Sequence, residues 1–418
     1  MKFERTVLPG GTRVLTEAMS EVRSAALGFW VGIGSRDEPP ELQGATHFLE
    51  HLIFKGTEKY SARYIAEAFD AVGGEANAFS AKEYTCFHSR VLDRDIEMSL
   101  SVLGDMLRHP MLRGDDVDSE RSVILEELAM HEDTPEDLVH DVFTQAIFGD
   151  HSLGREVMGT TETVASLTRE NLQDFHRASY HSPNIVIAAA GSVDHGQIVE
   201  WVNAEFGAEE GPPPARIPAK PEPATRLKVV RRPTEQAHVV LGGIGYQRDH
   251  PSRFAWGVLD NLLGCGTSSR LFQQVREKRG LAYSVFSYRN MYSEIGDWAV
   301  YAGTAPSNVP RLLEVVTEEL DRLVSDGATA EELKRAKGAT EGAMVMALED
   351  PASRMSRLGK SELVGAEILS MDEIINRVDA VTLDDIAAVA RDLLAPERRA
   401  LTVMGPFDEG DFSEWAIK

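Results

Sequence analysis

Hydrophobic positions along this chain fall into short runs and helical-period stretches, and their order recurs. Residues 25–33 and 238–244 are β-like, with aliphatic and β-branched residues close together. The apolar runs IVIAAAG at 185–191 and ALTVMG at 400–405 each end on a glycine and predict short buried strands. Between these lie helical patterns. THFLEHLIFKGT at 46–57 is apolar at Phe48, Leu49, Leu52 and Phe54, with Thr46 as the expected N-cap and Gly56 as the expected stop. DDVDSERSVILEELAMH at 115–131 predicts a second helix, whose acidic opening suits its N-terminus. Each half starts with strand-like segments, continues helical and closes on an apolar strand. That order points to two copies of one α+β unit, although residue identity between the halves is slight. The segment 207–225, GAEEGPPPARIPAKPEPAT, carries prolines at 212, 213, 214, 218, 221 and 223 and predicts a semi-rigid linker. The expected layout is a domain at 1–207, a linker at 208–225 and a second domain at 226–418. Each domain is expected to be a mixed, largely antiparallel sheet packed with helices.

A chain of 418 residues exceeds one ordinary core, which agrees with two domains. Apolar residues at 43% and charged residues at 26% are those of a globular protein. The net charge of −24 argues against nucleic acid or an anionic membrane as partner. It leaves room for a basic peptide substrate. Cys86 and Cys265 stand far apart with no C-x-x-C pair, which fits a reducing compartment and excludes a thiolate zinc cluster. The start, MKFERTVLPGG, lacks the apolar core of a signal peptide, and the run Ile185–Ala190 is too short to span a bilayer. A cytoplasmic protein is expected.

The chemistry concentrates in residues 47–51. On a helix, His47 and His51 at i and i+4 lie about 40° apart on one face, as a bidentate metal clamp requires. Glu50 borders that face without being a ligand, so it can take a proton from a metal-bound water and pass it to a leaving amine. Zinc catalysis calls for three protein ligands and one open position. On the second helix, Glu120 and Glu127 are two turns apart on one face. Glu127 is the candidate third ligand, and Glu120 the candidate carboxylate that orients a histidine. The bland alternatives are a surface histidine pair and a solvated acidic helix face.

At this point the sequence resembles the pitrilysin and insulin-degrading-enzyme family, the inverzincins, whose signature is H-x-x-E-H. HFLEHLIFKGTEKY at 47–60, GGEANAFSAKEYTCFH at 73–88 and ERSVILEEL at 120–128 carry the likeness. LGREVMGT at 153–160 and YHSPNIVIAAAGSVDH at 180–195 extend it. The sequence interval from His51 to Glu127 is the one this family uses for its third ligand, which selects Glu127 over Glu126. The size and layout look like the two-domain branch of the mitochondrial processing peptidases and their bacterial relatives. The resemblance implies one zinc ion per chain and a zinc-dependent endopeptidase. It also implies that Asn77, with Ala78 and Phe79 on an edge strand, holds the substrate backbone. In the second half, TSSRLFQQVREKRGLAYSVFSY at 267–288 resembles the segment in which an arginine and a tyrosine contact substrate near the zinc; Arg276 and Tyr283 hold those positions. The chain departs from the family at GCG (264–266), where relatives run glycines together.

Four-domain relatives bring that arginine–tyrosine pair to the zinc across a closed chamber. For a two-domain chain the resemblance therefore implies a homodimer, with Arg276 and Tyr283 of one copy serving the metal of the other. Two other classes compete. One is a non-catalytic structural subunit of the same fold, which usually loses part of the motif. The other is a zinc hydrolase acting on a small amide, against which Asn77, Arg276 and Tyr283 count.

Overall fold

The computed structural model describes residues 3–206, 216–218, 220 and 222–416. Much of the linker expected at 208–225 lies outside the described residues. The chain forms two compact units. The first comprises Met1–Ala129, Arg155–Arg216 and Val345–Ser370; the second comprises Met130–Gly154, Ile217–Met344 and Met371–Lys418.

The first unit is built on strands β1 (Glu4–Val7), β2 (Arg13–Ala18), β3 (Ser24–Val31), β4 (Glu75–Ser80), β5 (Thr85–Leu92) and β6 (Ile185–Gly191). They lie in the order β1-β2-β6-β3-β5-β4, with β2 and β6 parallel and the other neighbours antiparallel. The second unit is built on β7 (Leu227–Arg231), β8 (Ala237–Gly245), β9 (Ala282–Met291), β10 (Gly296–Thr304) and β11 (Ala400–Gly405). Its order is β7-β11-β8-β10-β9, again with one parallel pair, β7 with β11, and antiparallel neighbours elsewhere. Strand for strand, β2 to β6 and β7 to β11 follow one path with one set of directions. The duplication expected from the sequence is therefore visible as a repeated topology, and β1 is an addition to the first copy.

The unbroken apolar runs have a physical cause. Every residue of β6 is buried, as is every residue of β8 and β10. A strand reads this way when both faces of its sheet are covered. On one face of the first sheet, Ile185, Ile187 and Ala189 join a core with Phe48, Leu49 and Leu52 of helix α1 (Ala45–Ile53). On the other face, Val186, Ala188 and Ala190 pack with Met355 and Leu358 of the helix Pro351–Leu363. In the second unit, Val240 and Ile244 of β8 meet Leu138, Val139 and Phe143.

Here the units differ from contiguous halves. After α1 come α2 (Ala62–Asp70), α3 (Ile96–Arg108), α4 (Gly114–Glu132) and α5 (Pro135–Phe148). Helix α5 belongs to the second unit, and the helix Pro351–Leu363 to the first. Each supplies the apolar cover that the second face of a sheet needs, and that demand does not respect the sequence midpoint.

The start of α1 corrects the expected cap. Its N-cap is Gly44, at φ 90°, not Thr46; Thr46 is buried in the first turn. An N-cap must sit outside helical geometry, and a left-handed φ that glycine adopts freely meets that need two residues earlier.

Candidate metal centre

All residues of the centre lie in the first unit. In α4 the buried positions are Val117, Glu120, Ile124 and Leu128, a stripe at helical spacing with one carboxylate in it. A charge in an apolar stripe must be paired. Glu120 is met on one oxygen by Lys55 Nζ at 2.5 Å and on the other by His51 Nδ1 at 3.2 Å. With Nδ1–H directed at Glu120, His51 presents the lone pair of Nε2 to the other side.

On that side, His51 Nε2 lies 3.6 Å from Glu127 Oε2, and His47 Nε2 lies 3.8 Å from the same oxygen. Among the described residues, the ligand atoms of His47, His51 and Glu127 all fall within 4.8 Å of one another. Neighbouring ligands around a tetrahedral zinc sit about 3.3 Å apart, given metal–nitrogen bonds of about 2.0–2.1 Å. Converging acceptor atoms at this spacing suit a cation, so the donor set fits zinc. His47 is buried, and burial, with His51 beside it, pushes its pKa down to about 4, which leaves a neutral imidazole.

Glu50 stands on the same helix, turned toward β4. Burial raises its pKa; Ser80 and His51 oppose that rise and Glu127 adds to it. Its Oε2 is buried and makes no hydrogen bond among the described residues. A buried carboxylate oxygen with no protein donor is available to a reacting molecule.

Strand β4 is the last strand of its sheet and packs against α1. Asn77 lies mid-strand rather than in a turn, opposite His88, and its Oδ1 accepts from the Ala78 amide at 2.9 Å. Along β4, Asn77 and Phe79 are exposed and Ala78 is buried, so the strand alternates beside the centre. The second unit brings Arg276 and Tyr283 together. Arg276 lies in a π-helical turn, Phe272–Glu277, and Tyr283 is the second residue of the edge strand β9. The guanidinium lies 4.3 Å from the Tyr283 ring centroid and donates to the Tyr283 carbonyl at 3.1 Å. The Tyr283 side chain is left strongly exposed. Lys55, which holds Glu120, and Ser80, beside Glu50, were not singled out from the sequence. Lys55 carried one usable signal: on a helix it follows His51 by one turn.

The chain is similar to known zinc proteases in sequence and to a solved protease in fold. Residues 13–161 match the family model described as Insulinase (Peptidase family M16), and residues 166–340 match the Peptidase M16 inactive domain. An uncharacterized zinc protease of Streptomyces coelicolor is 49% identical over 97% of this chain and 90% of its own length. One from Bacillus subtilis is 41% identical over 97% of this chain and 98% of its own. Among solved structures, a protease from Helicobacter pylori superposes with a TM-score of 0.92 at 20% identity, covering 97% of this chain and 99% of that one. That last likeness speaks to fold alone. The relatives are named zinc proteases, the insulinase model spans the H-x-x-E-H segment and Glu127, and this chain belongs to peptidase family M16, the insulinase family.

Proposed function

We propose that the chain is a zinc-dependent endopeptidase in which His47, His51 and Glu127 hold the metal and Glu50 is the general base. The observation that carries this reading is the convergence of two imidazole nitrogens and a carboxylate oxygen beside an unpaired Glu50 oxygen. Zinc bound there supplies Lewis acidity and lowers the pKa of a coordinated water to about 7. Glu50 Oε2 accepts a proton from the attacking water and returns it to the leaving amine. Glu120 fixes the tautomer and tilt of His51. An extended peptide adds to the free edge of β4, with Asn77, Ala78 and Phe79 along its backbone, which presents a scissile carbonyl near Glu50. Arg276 and Tyr283 donate hydrogen bonds to the oxygen on which negative charge develops.

In this reading a homodimer forms a closed chamber, and the arginine–tyrosine pair of each copy serves the metal of the other. The substrates are peptides or unfolded segments that can extend against β4. A cytoplasmic location is part of the proposal and suits the two free cysteines. No helix among the described residues is long and apolar enough to cross a membrane.

A non-catalytic member of the fold is favoured by one observation, the name of the inactive-domain model. That match covers 166–340, whereas His47, Glu50, His51 and Glu127 all lie in the region matched by the other model. The test is cleavage of an unstructured peptide before chelation, after chelation and after zinc is restored. Cleavage lost and regained with zinc is expected. Cleavage that persists in the fully chelated chain would contradict the reading.

A further inference from the structure

The helix that carries both histidines begins in an unusual way. Gly44, its N-cap, has no side chain with which to hold the first amides. The opening turn of any helix leaves such amides without intrahelical partners, and a buried helix start must find acceptors elsewhere. Here the acceptor is Glu38, six residues upstream. Its Oε2 accepts from the Gly44 amide at 2.8 Å and its Oε1 from the Thr46 amide at 2.7 Å. The side chain is buried, with Glu38 3% exposed, and Arg155 donates to the Glu38 carbonyl at 2.9 Å.

The residues before Glu38 are docked in turn onto the hairpin turn between β4 and β5. Ser35 donates its amide to the Ala81 carbonyl at 3.1 Å, and Arg36 its amide to the Lys82 carbonyl at 3.0 Å. The Arg36 guanidinium meets Glu83 at 2.8 Å, with both side chains 1% exposed. Arg216 donates to Asp37 through two nitrogens, at 2.8 and 2.9 Å. Lys82 reaches the Arg155 carbonyl. Segment 35–38 thus ties the turn of the edge strand to the start of the helix, and His47 follows Thr46 directly.

We propose that Glu38 is a positioning residue for the metal centre, holding the start of α1 at a fixed depth against the β4–β5 turn so that His47 and Glu50 face Glu127 and the edge strand. The inference rests on His47, His51 and Glu127 being the ligand set. A cap that served stability alone would lower the unfolding temperature and leave metal affinity at its native value. A positioning role ties affinity to the number of amides Glu38 can accept. The carboxylate takes both amides, a glutamine carbonyl takes one, and alanine takes neither.

The experiment compares Glu38→Gln, Glu38→Ala and Leu103→Ala with the native chain. Leu103 is fully buried on α3 and is not one of the residues of the centre, and its truncation supplies a destabilised control. Zinc affinity is read by chelator competition, and exchange of the Gly44 and Thr46 amides is read in the metal-free chains. Glu38→Ala is expected to weaken zinc by about tenfold, as loss of a supporting hydrogen bond does at other metal sites. Glu38→Gln should fall between native and alanine, and Leu103→Ala should keep native affinity. Both amides should exchange faster in Glu38→Ala and one of them in Glu38→Gln. Native zinc affinity in the Glu38 variants, or an equal loss in Leu103→Ala, overturns the proposal. If Glu38→Ala does not fold, Glu38→Gln against Leu103→Ala decides it. A native chain that takes up no zinc would refute the ligand set instead, while unaltered exchange of both amides in the metal-free Glu38 variants would refute the hold by Glu38.

Discussion

At the scale of single residues, the centre is a problem of paired and unpaired charge. Glu120 is buried in an apolar stripe and held by Lys55 and His51. Glu120→Gln keeps the shape but weakens the orienting hydrogen bond on His51, and zinc affinity should fall by about 10–100-fold. Chelator competition would show it, and unchanged affinity would remove Glu120 from the centre. A second prediction concerns His176, buried with Nε2 2.8 Å from the Leu107 carbonyl and its ring stacked on Tyr180. Burial pushes its pKa down from 6.5 to about 4. The folded chain holds it neutral, so between these values the unfolded chain binds the extra proton. Its contribution is present in full above about pH 6.5 and is lost as pH falls toward 4, by roughly 3 kcal/mol in total. In His176→Gln, whose amide can still donate to Leu107, stability should depend less on pH across this window; an identical pH profile would contradict the assignment. Legibility from sequence follows the same line. His47, Glu50 and His51 are bound by helix spacing, and Glu120 and Glu127 by a two-turn interval, so local geometry groups each set, while the family resemblance joined the two. Ser80 comes beside Glu50 only through the packing of β4 on α1, and Glu38, though six residues before Gly44, reaches it across a turn that the hydrophobic pattern does not describe.

At the scale of elements, apolar runs marked β3, β6, β8 and β11, because a strand covered on both faces leaves an unbroken signature. Helices α1 and α4 were marked by period and acidic opening. What the pattern did not carry was which sheet each helix covers. An amphipathic stripe on α5 or on Pro351–Leu363 fits any apolar face, and the exchange between the two halves is a choice made in three dimensions. The fit of Pro351–Leu363 is tight. Trp30 Nε1 donates to Met355 Sδ at 3.4 Å, and a Cβ added at Gly359 would lie 2.1 Å from Trp30 Nε1. In an exposed helix Gly→Ala would stabilise by about 1 kcal/mol. Here Gly359→Ala should instead cost about 1–3 kcal/mol through overpacking against the Trp30 ring. Thermal unfolding decides the sign, and a raised unfolding temperature would show that the helix sits more loosely than the contact implies.

At the scale of the whole molecule, one topology serves twice and is specialised differently in each copy. The first unit carries the candidate metal ligands and Glu50; the second carries Tyr283, exposed on its edge strand, with Arg276 of the preceding helical turn against its ring. In the proposed homodimer each copy needs both specialisations, but from different chains. A mixed dimer of Glu50→Gln and Tyr283→Phe chains should then recover one working site in two, whereas each variant alone stays impaired. No recovery under conditions of subunit exchange would contradict action in trans. The net charge of −24 belongs to this scale as well, and it bears on partners and solubility rather than on fold. The central claim is that a metal held by His47, His51 and Glu127 is put to work by Glu50. The measurement that tests it most directly is zinc content together with cleavage of an unstructured peptide, native chain against Glu50→Gln. One zinc per chain in both, with cleavage lost only in the variant, is the predicted result. Native chain without stoichiometric metal, or a Glu50→Gln chain that still cleaves at the native rate, would contradict it.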